Sequence, residues 1–313
     1  MQHPPMSPGT RSSAPSVTRD SWLSPVPLLF VLLWSTGFIV AKLGLPYAPP
    51  LTFLILRCLG VLAVLLPIVF LWRAPWPRGQ LLHVAVAGLL LQAGYLGGVW
   101  AAIKLGMPAG LTALIVGMQP ILTAALAPLI GERVRPRQWL GFLLGLCGVA
   151  LVVHAKLHLG GLSAAGIGLC LFALLCITAG TMYQKRWCPG FDLRTGTVIQ
   201  FAATVAALVP LAIWLEGLDP RLSQVSWSLD FILAWLWSIF ALSIGAIFLL
   251  FTLIRRSRAT EVTSLLYLTP PTTAVMAWLL FGEAFSPLAL AGMAVAVTGV
   301  AFVVKQAHNK ETP

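Results

Sequence analysis

Thirty-six residues from Met118 to Val153 recur without gaps 151 positions later, from Thr269 to Val304. The two copies share Pro120/Pro271, Leu129/Leu280, Gly131/Gly282, Glu132/Glu283, Pro136/Pro287, Gly141/Gly292 and Gly148/Gly299. Shared leucines say little in an apolar chain, but shared glycines and prolines mark the same backbone built twice. The rest of the repeat is offset by 143, where Gly37, Lys42, Pro46, Thr52 and Pro67 meet Gly180, Lys185, Pro189, Thr195 and Pro210. The fold is therefore one unit used twice.

The solvent of that unit follows from charge. Of 313 residues, 58% are hydrophobic and 9% are charged. A soluble domain carries about 25% charged residues, so this chain has too few to cover a surface in water. The net charge of +11 comes from residues scattered in short loops, with no basic stripe for phosphate contact, so nucleic acid is excluded as a partner. The outer partner is the lipid bilayer. Five cysteines, an odd number without C-x-x-C spacing, and five histidines at run edges or in tails form no zinc pattern, so no cofactor is expected.

Crossing about 30 Å of hydrocarbon takes about 20 apolar residues in a helix. Ten such runs are present: 26–45, 51–72, 81–103, 108–130, 136–154, 162–183, 195–215, 229–254, 262–281 and 287–304. The expected fold class is an all-α membrane protein of ten transmembrane helices. Residues 1–24, rich in Ser, Pro and Thr, read as a disordered tail. They are not read as a signal peptide, since the following apolar run is too long and lacks a cleavage site.

Alternate connections differ sharply in charge. One set holds Arg73, Arg78, Arg133, Arg135, Arg137, Lys185, Arg186, Arg194, Arg255, Arg256, Arg258, Lys305 and Lys310; the other holds Lys42, Lys104, Lys156 and Arg221. Positive residues stay inside, so both termini are expected in the cytoplasm. Five spans per copy is an odd number, so the second copy enters the membrane upside down. Its charges follow: Glu132-Arg-Val-Arg-Pro-Arg137 between spans four and five has the copy Glu283-Ala-Phe-Ser-Pro287, with every Arg lost. The expected architecture is two inverted five-helix repeats.

The stretch Leu32–Arg57, LLWSTGFIVAKLGLPYAPPLTFLILR, resembles the opening of an EamA-type unit of the drug/metabolite transporter superfamily. The pattern Gln-Pro, Gly-Glu, Pro, Gly and Gly-Val-Ala after Met118 is similar to the end of the same unit. Ser35-Thr36-Gly37 departs from it where many members read Gly-Ser-Asn. The resemblance divides the chain into a cytoplasmic tail at 1–24, a first repeat at 25–154, a second, inverted repeat at 161–305 and a cytoplasmic tail at 306–313. It implies a central cavity, transport of a small organic molecule and, through the resemblance alone, export.

Arg57 is the one ionisable side chain well inside a span, about 9 Å from its end. Charge at that depth needs a cavity or a partner. It reads either as a receptor for an anionic group or as a snorkelling anchor of span two. The nine acids all lie in loops, tails or span ends. Without an intramembrane carboxylate for a proton relay, facilitated diffusion or exchange is expected. The polar and aromatic candidates for the cavity lining are Trp34, Ser35, Thr36, Gln92, Tyr95, Gln119, Thr123, Thr178, Thr181, Gln200, Ser243, Tyr267 and Thr269. Tyr183 and Trp100, nearer span ends, read as aromatic-belt residues. Pro120, Pro270 and Pro271 break helices at matched places and are hinge candidates. Glu132 and Glu283 read as stabilisers of the helices that start at Pro136 and Pro287. Gly141-x-x-x-Gly145 permits close helix contact, within the chain or in a dimer, and oligomeric state stays open.

The function these readings favour is a secondary transporter of the inner membrane, working by alternating access on an amino-acid-like or amphipathic metabolite. A sugar-phosphate or nucleotide-sugar exchanger would want several cavity cations, and only Arg57 is available. A non-transporting membrane partner would normally add a soluble domain. No nucleophile motif or buried acid pair supports an enzyme.

Overall fold

In hydrocarbon the backbone has only itself to bond, and long apolar runs close into helices. The computed structural model describes residues 26–126, 136–157, 162–246, 249 and 268–308, and the regular structure among them is helical throughout. In order these are α1 (Val26–Gly44), α2 (Pro50–Leu71) and α3 (Leu81–Gly88). A π-helical segment, Leu89–Gly94, then leads into α4 (Tyr95–Lys104). Next come α5 (Ala109–Val116), α6 (Gln119–Leu126), α7 (Pro136–Leu157), α8 (Ala164–Trp187) and α9 (Leu193–Glu216). A second π segment, Ser238–Gly245, continues α10 (Leu229–Trp237), and α11 (Thr269–Phe281) and α12 (Pro287–His308) follow.

Among the described residues, five continuous stretches are long and apolar enough to cross a membrane: 27–44, 50–71, 81–104, 164–187 and 193–216. Shorter apolar helices cover 109–123, 139–155, 229–245 and 287–299. The protein is a multi-pass, all-α bundle. Its outside is apolar: Leu71 is 81% and Trp214 80% exposed, an exterior that suits acyl chains and not water.

Helix ends have local causes. The first amides of α2, left without intrahelical partners, donate to one carboxylate: Leu51 N at 2.7 Å and Thr52 N at 2.8 Å reach Glu216 at the end of α9. Ser163 accepts from Gly166 N at the start of α8, and Ser228 from Phe231 N at the start of α10. After Glu216, Gly217 takes φ 65°, the left-handed turn that stops α9. The run expected as one helix over 108–130 is divided instead. It turns at Gly117 and Met118, and α6 begins with Pro120 in its first turn, where a missing N–H costs nothing.

Small residues decide which helices meet. A Cβ on Gly148 would lie 2.4 Å from Ala296 N and 2.5 Å from Gly292 O; one on Gly299 would lie 2.5 Å from Gly145 N and 2.6 Å from Gly141 O. The glycine face of α7 is therefore used inside the chain, against α12, with the backbones in contact. Because 148 meets 292 while 141 meets 299, the two helices run antiparallel. So do α2 and α9, joined at Thr52–Glu216 and packed together at Val69 and Val198. So do α5 and α11, where Gly110 faces Ala274 and Gly117 faces Pro270. The core between them includes Phe53, which lies 4.6 Å from Trp100 and 5.1 Å from Phe231 by ring centroid.

Candidate functional site

Arg57 belongs to the buried face of α2, where every residue from Leu51 to Cys58 is buried. It is itself only 8% exposed. Its Nε donates to Ser243 Oγ at 3.1 Å. Ser243 donates its own proton to Ser238 O at 2.9 Å, across the second π segment, which leaves its oxygen free to accept. The guanidinium also lies 5.8 Å from the centre of the Trp100 ring. Trp100, expected in an aromatic belt, is 1% exposed and sits in the core beneath the arginine. Its place in α4, four residues from Lys104, is near the chain end of the span but turned inward by packing on Phe53.

A cavity of about 330 Å³ opens against this arginine. That is the small end of the range for ligand pockets. Eight of the residues singled out in the sequence line it: Trp34, Arg57, Gln92, Tyr95, Trp100, Gln119, Thr181 and Ser243. Gln119 Nε2 donates to Thr181 Oγ1 at 2.9 Å, and this bond ties α6 to α8 at the wall. Gln92 carries a buried amide oxygen without a hydrogen-bond partner. The remaining lining is apolar: Gly37, Phe38, Leu91, Leu96, Val99, Ile177, Phe201 and Leu242. These carry no polar signal, but most stand three, four or seven positions from a polar lining residue on the same helix, so helical register points to them.

Other candidates lie elsewhere. Ser35 is buried in α1 with its hydroxyl unpartnered. Thr36 accepts from Trp237 Nε1 at 3.0 Å and lines a second cavity, about 630 Å³, with Lys42, Tyr47 and Asp230. Thr178 returns its hydroxyl to Leu174 O, and Gln200 Nε2 donates to Gln184 Oε1 at 3.1 Å. Thr269 is buried at the start of α11 with its hydroxyl unpartnered. Thr123 on α6 lines neither cavity. Tyr267 and Glu132 fall outside the described residues. Pro120 sits in the first turn of α6, and Pro270 and Pro271 in the first turn of α11. Tyr183, an expected belt residue, meets His83 Nδ1 at 2.7 Å beside Trp187.

Glu283 does not serve its own helix. Ser286 accepts from Ala289 N there, while Glu283 accepts from Ala109 N at 3.1 Å and pairs with Lys42. It thus joins the ends of α1 and α11 to the start of α5. The other described acids are also engaged, at helix ends or in the loop before α10: Asp192 by Arg194, Glu216 by Thr52, Asp219 by Ser223 and Asp230 by Tyr47. None of these acids lines the cavity against Arg57. Among the described residues no cluster of His, Cys, Asp or Glu is fit to hold a metal ion.

Residues 25–154 and 164–305 each match the EamA-like transporter family. A "probable amino-acid metabolite efflux pump" of Salmonella typhimurium is 28% identical over 90% of the chain and 93% of its own length. The "aromatic amino acid exporter YddG" of Ancylobacter novellus is 32% identical over 58% of the chain and 63% of its own length. A crystal structure with a TM-score of 0.59 and 23% identity covers 93% of this chain and 99% of its own, which shows a shared fold.

Proposed function

Since the chain belongs to the EamA-like transporter family, we propose that it exports amino acids or closely related amphipathic carboxylates across the inner membrane by alternating access. The observation that carries this reading is Arg57: a buried cation on the wall of an aromatic-lined cavity, with no carboxylate among the described lining residues. A charge so placed is costly unless something answers it, and a substrate carboxylate fits the forked guanidinium. Trp34, Tyr95, Trp100 and Phe201 supply flat apolar surface for the rest of a small molecule. A phosphate-bearing substrate would need more cations than one. The names of the relatives, amino-acid metabolite efflux and aromatic amino acid export, point the same way.

The two halves, 25–154 and 161–305, act as inverted repeats of five spans each, with both termini cytoplasmic. The antiparallel pairing of α2 with α9, α5 with α11 and α7 with α12 supports this, because each pair joins equivalent helices of the two repeats running in opposite directions. The loop charges support the orientation. Rocking of the halves bends the chain at Pro120 on one side and at Pro270-Pro271 on the other. With no acid facing the cavity among the described residues, movement is by exchange or facilitated diffusion.

The test is flux of labelled amino acids in proteoliposomes with Arg57→Met. Losing a charge-assisted hydrogen bond removes roughly 1.5–3 kcal/mol of binding, or about 10- to 150-fold. Uptake should fall by at least about tenfold while the variant inserts and melts normally. Undiminished uptake by a well-inserted Arg57→Met protein removes Arg57 from the site.

A further inference from the structure

The two π segments occupy matching places. They end at Gly94 and Gly245, 151 positions apart, and the same offset carries Gln92 onto Ser243. The offset of 143 carries Arg57 onto Gln200. The bond between Arg57 and Ser243 thus has a counterpart by repeat, between Gln200 and Gln92. The structure does not form it. Gln200 is held by Gln184, with its Cα and Cβ pressed against Gly88, where a Cβ would lie 2.5 Å and 2.7 Å away. Gln92 remains at the cavity wall with its amide oxygen buried and unpartnered.

A buried acceptor without a donor is destabilising, and a π turn that holds one beside a cavity is the kind of strain found at functional sites. The cavity therefore has two unlike polar features. One is a cation on α2, steadied by Ser243; the other is an acceptor on the first π segment that still needs a proton. We propose that Gln92 is a specificity-determining residue: its amide oxygen accepts a hydrogen bond from the substrate's amine while Arg57 holds the carboxylate. This rests on the carboxylate reading of Arg57. The amine's charge is answered by the substrate's own carboxylate and by the faces of Trp34 and Tyr95. A repeat that is symmetric in backbone but unlike in these two side chains fixes which way round a zwitterion lies.

The experiment compares phenylalanine with 3-phenylpropionate, which keeps the ring and carboxylate and lacks the amine, as competitors of flux in proteoliposomes. The wild-type chain should prefer phenylalanine by about tenfold or more. Gln92→Leu and Gln92→Met should reduce that preference to about twofold or less by losing phenylalanine, with 3-phenylpropionate unchanged. Equal competition by both compounds in the wild type overturns the proposal without any variant, and so does a preference that survives in either Gln92 variant. Arg57→Met separates the two readings, since it should weaken both compounds together. If neither compound competes in the wild type, the amino-acid reading falls and takes this one with it.

Discussion

The contact of α7 with α12 is tight enough to predict the effect of one methyl group. In Gly148→Ala the new Cβ would stand 2.4 Å from Ala296 N, 2.5 Å from Gly292 O and 2.7 Å from Ala296 Cα. All three are backbone atoms, so no change of rotamer relieves them. Ordinary contact begins at 3.4 Å, so the helices must part by about 1 Å along their length. Overpacking costs roughly 1–3 kcal/mol, and a rigid backbone neighbour puts this case at the upper end. Alanine recovers about 1 kcal/mol over glycine in a helix, which leaves a net loss of about 2 kcal/mol. Gly299→Ala meets Gly145 N at 2.5 Å and Gly141 O at 2.6 Å, and should lose a similar amount. Gly168 on α8 has nothing within 4 Å, so Gly168→Ala keeps only the helical gain. Thermal melting of the purified chain in detergent reads all three. The two seam variants should melt lower by on the order of 5 °C, and Gly168→Ala at or above the wild type. If Gly148→Ala and Gly168→Ala melt alike, the packing argument for the seam is wrong.

Two further outcomes follow from the ion pairs. Glu283→Ala strips Lys42 of its partner and Ala109 N of its acceptor, and should destabilise by roughly 1–3 kcal/mol, less than breaking a fully buried pair because Lys42 is 32% exposed; Lys42→Ala, at the more exposed end, should cost less in the same melting assay. The Arg194 side chain beside Asp192 holds that carboxyl below its ordinary value of 3.8. A depressed carboxylate adds stability above the unfolded value that is lost as pH falls through the folded one. Melting temperature should therefore drop below about pH 4 by more in the wild type than in Asp192→Asn, and parallel curves would contradict this.

What was legible in the sequence was whatever lipid and repetition enforce. Apolar run length forecast α2, α8 and α9 to within a few residues, because a span has little freedom in length. Arg57 stood out because charge at that depth is rare. The site was legible only in part. Gln200 and Gln92 stand where the repeat sets them opposite Arg57 and Ser243, yet Gln184 on a neighbouring helix takes up Gln200 and leaves Gln92 unpaired. Trp100 was misread from its distance to the span end, since burial against Phe53 is a tertiary fact. The same holds for Glu283, whose partners are 174 and 241 positions away in sequence. The π segments have no local signature, and nothing in LLLQAG or SIFALSIG separates them from ordinary helix.

The way 141 meets 299 while 148 meets 292 has a consequence for how such a chain arises. Exchanging the labels of the two repeats leaves that contact map unchanged. A surface complementary to its own duplicate is complementary to itself. A single five-span polypeptide bearing this stripe would dock on an identical neighbour inserted the other way up, and the gene fusion joining them would add a tether without designing a new joint. It also frees each copy to diverge everywhere except along the stripe, which is where an arginine on one side and a glutamine on the other become affordable.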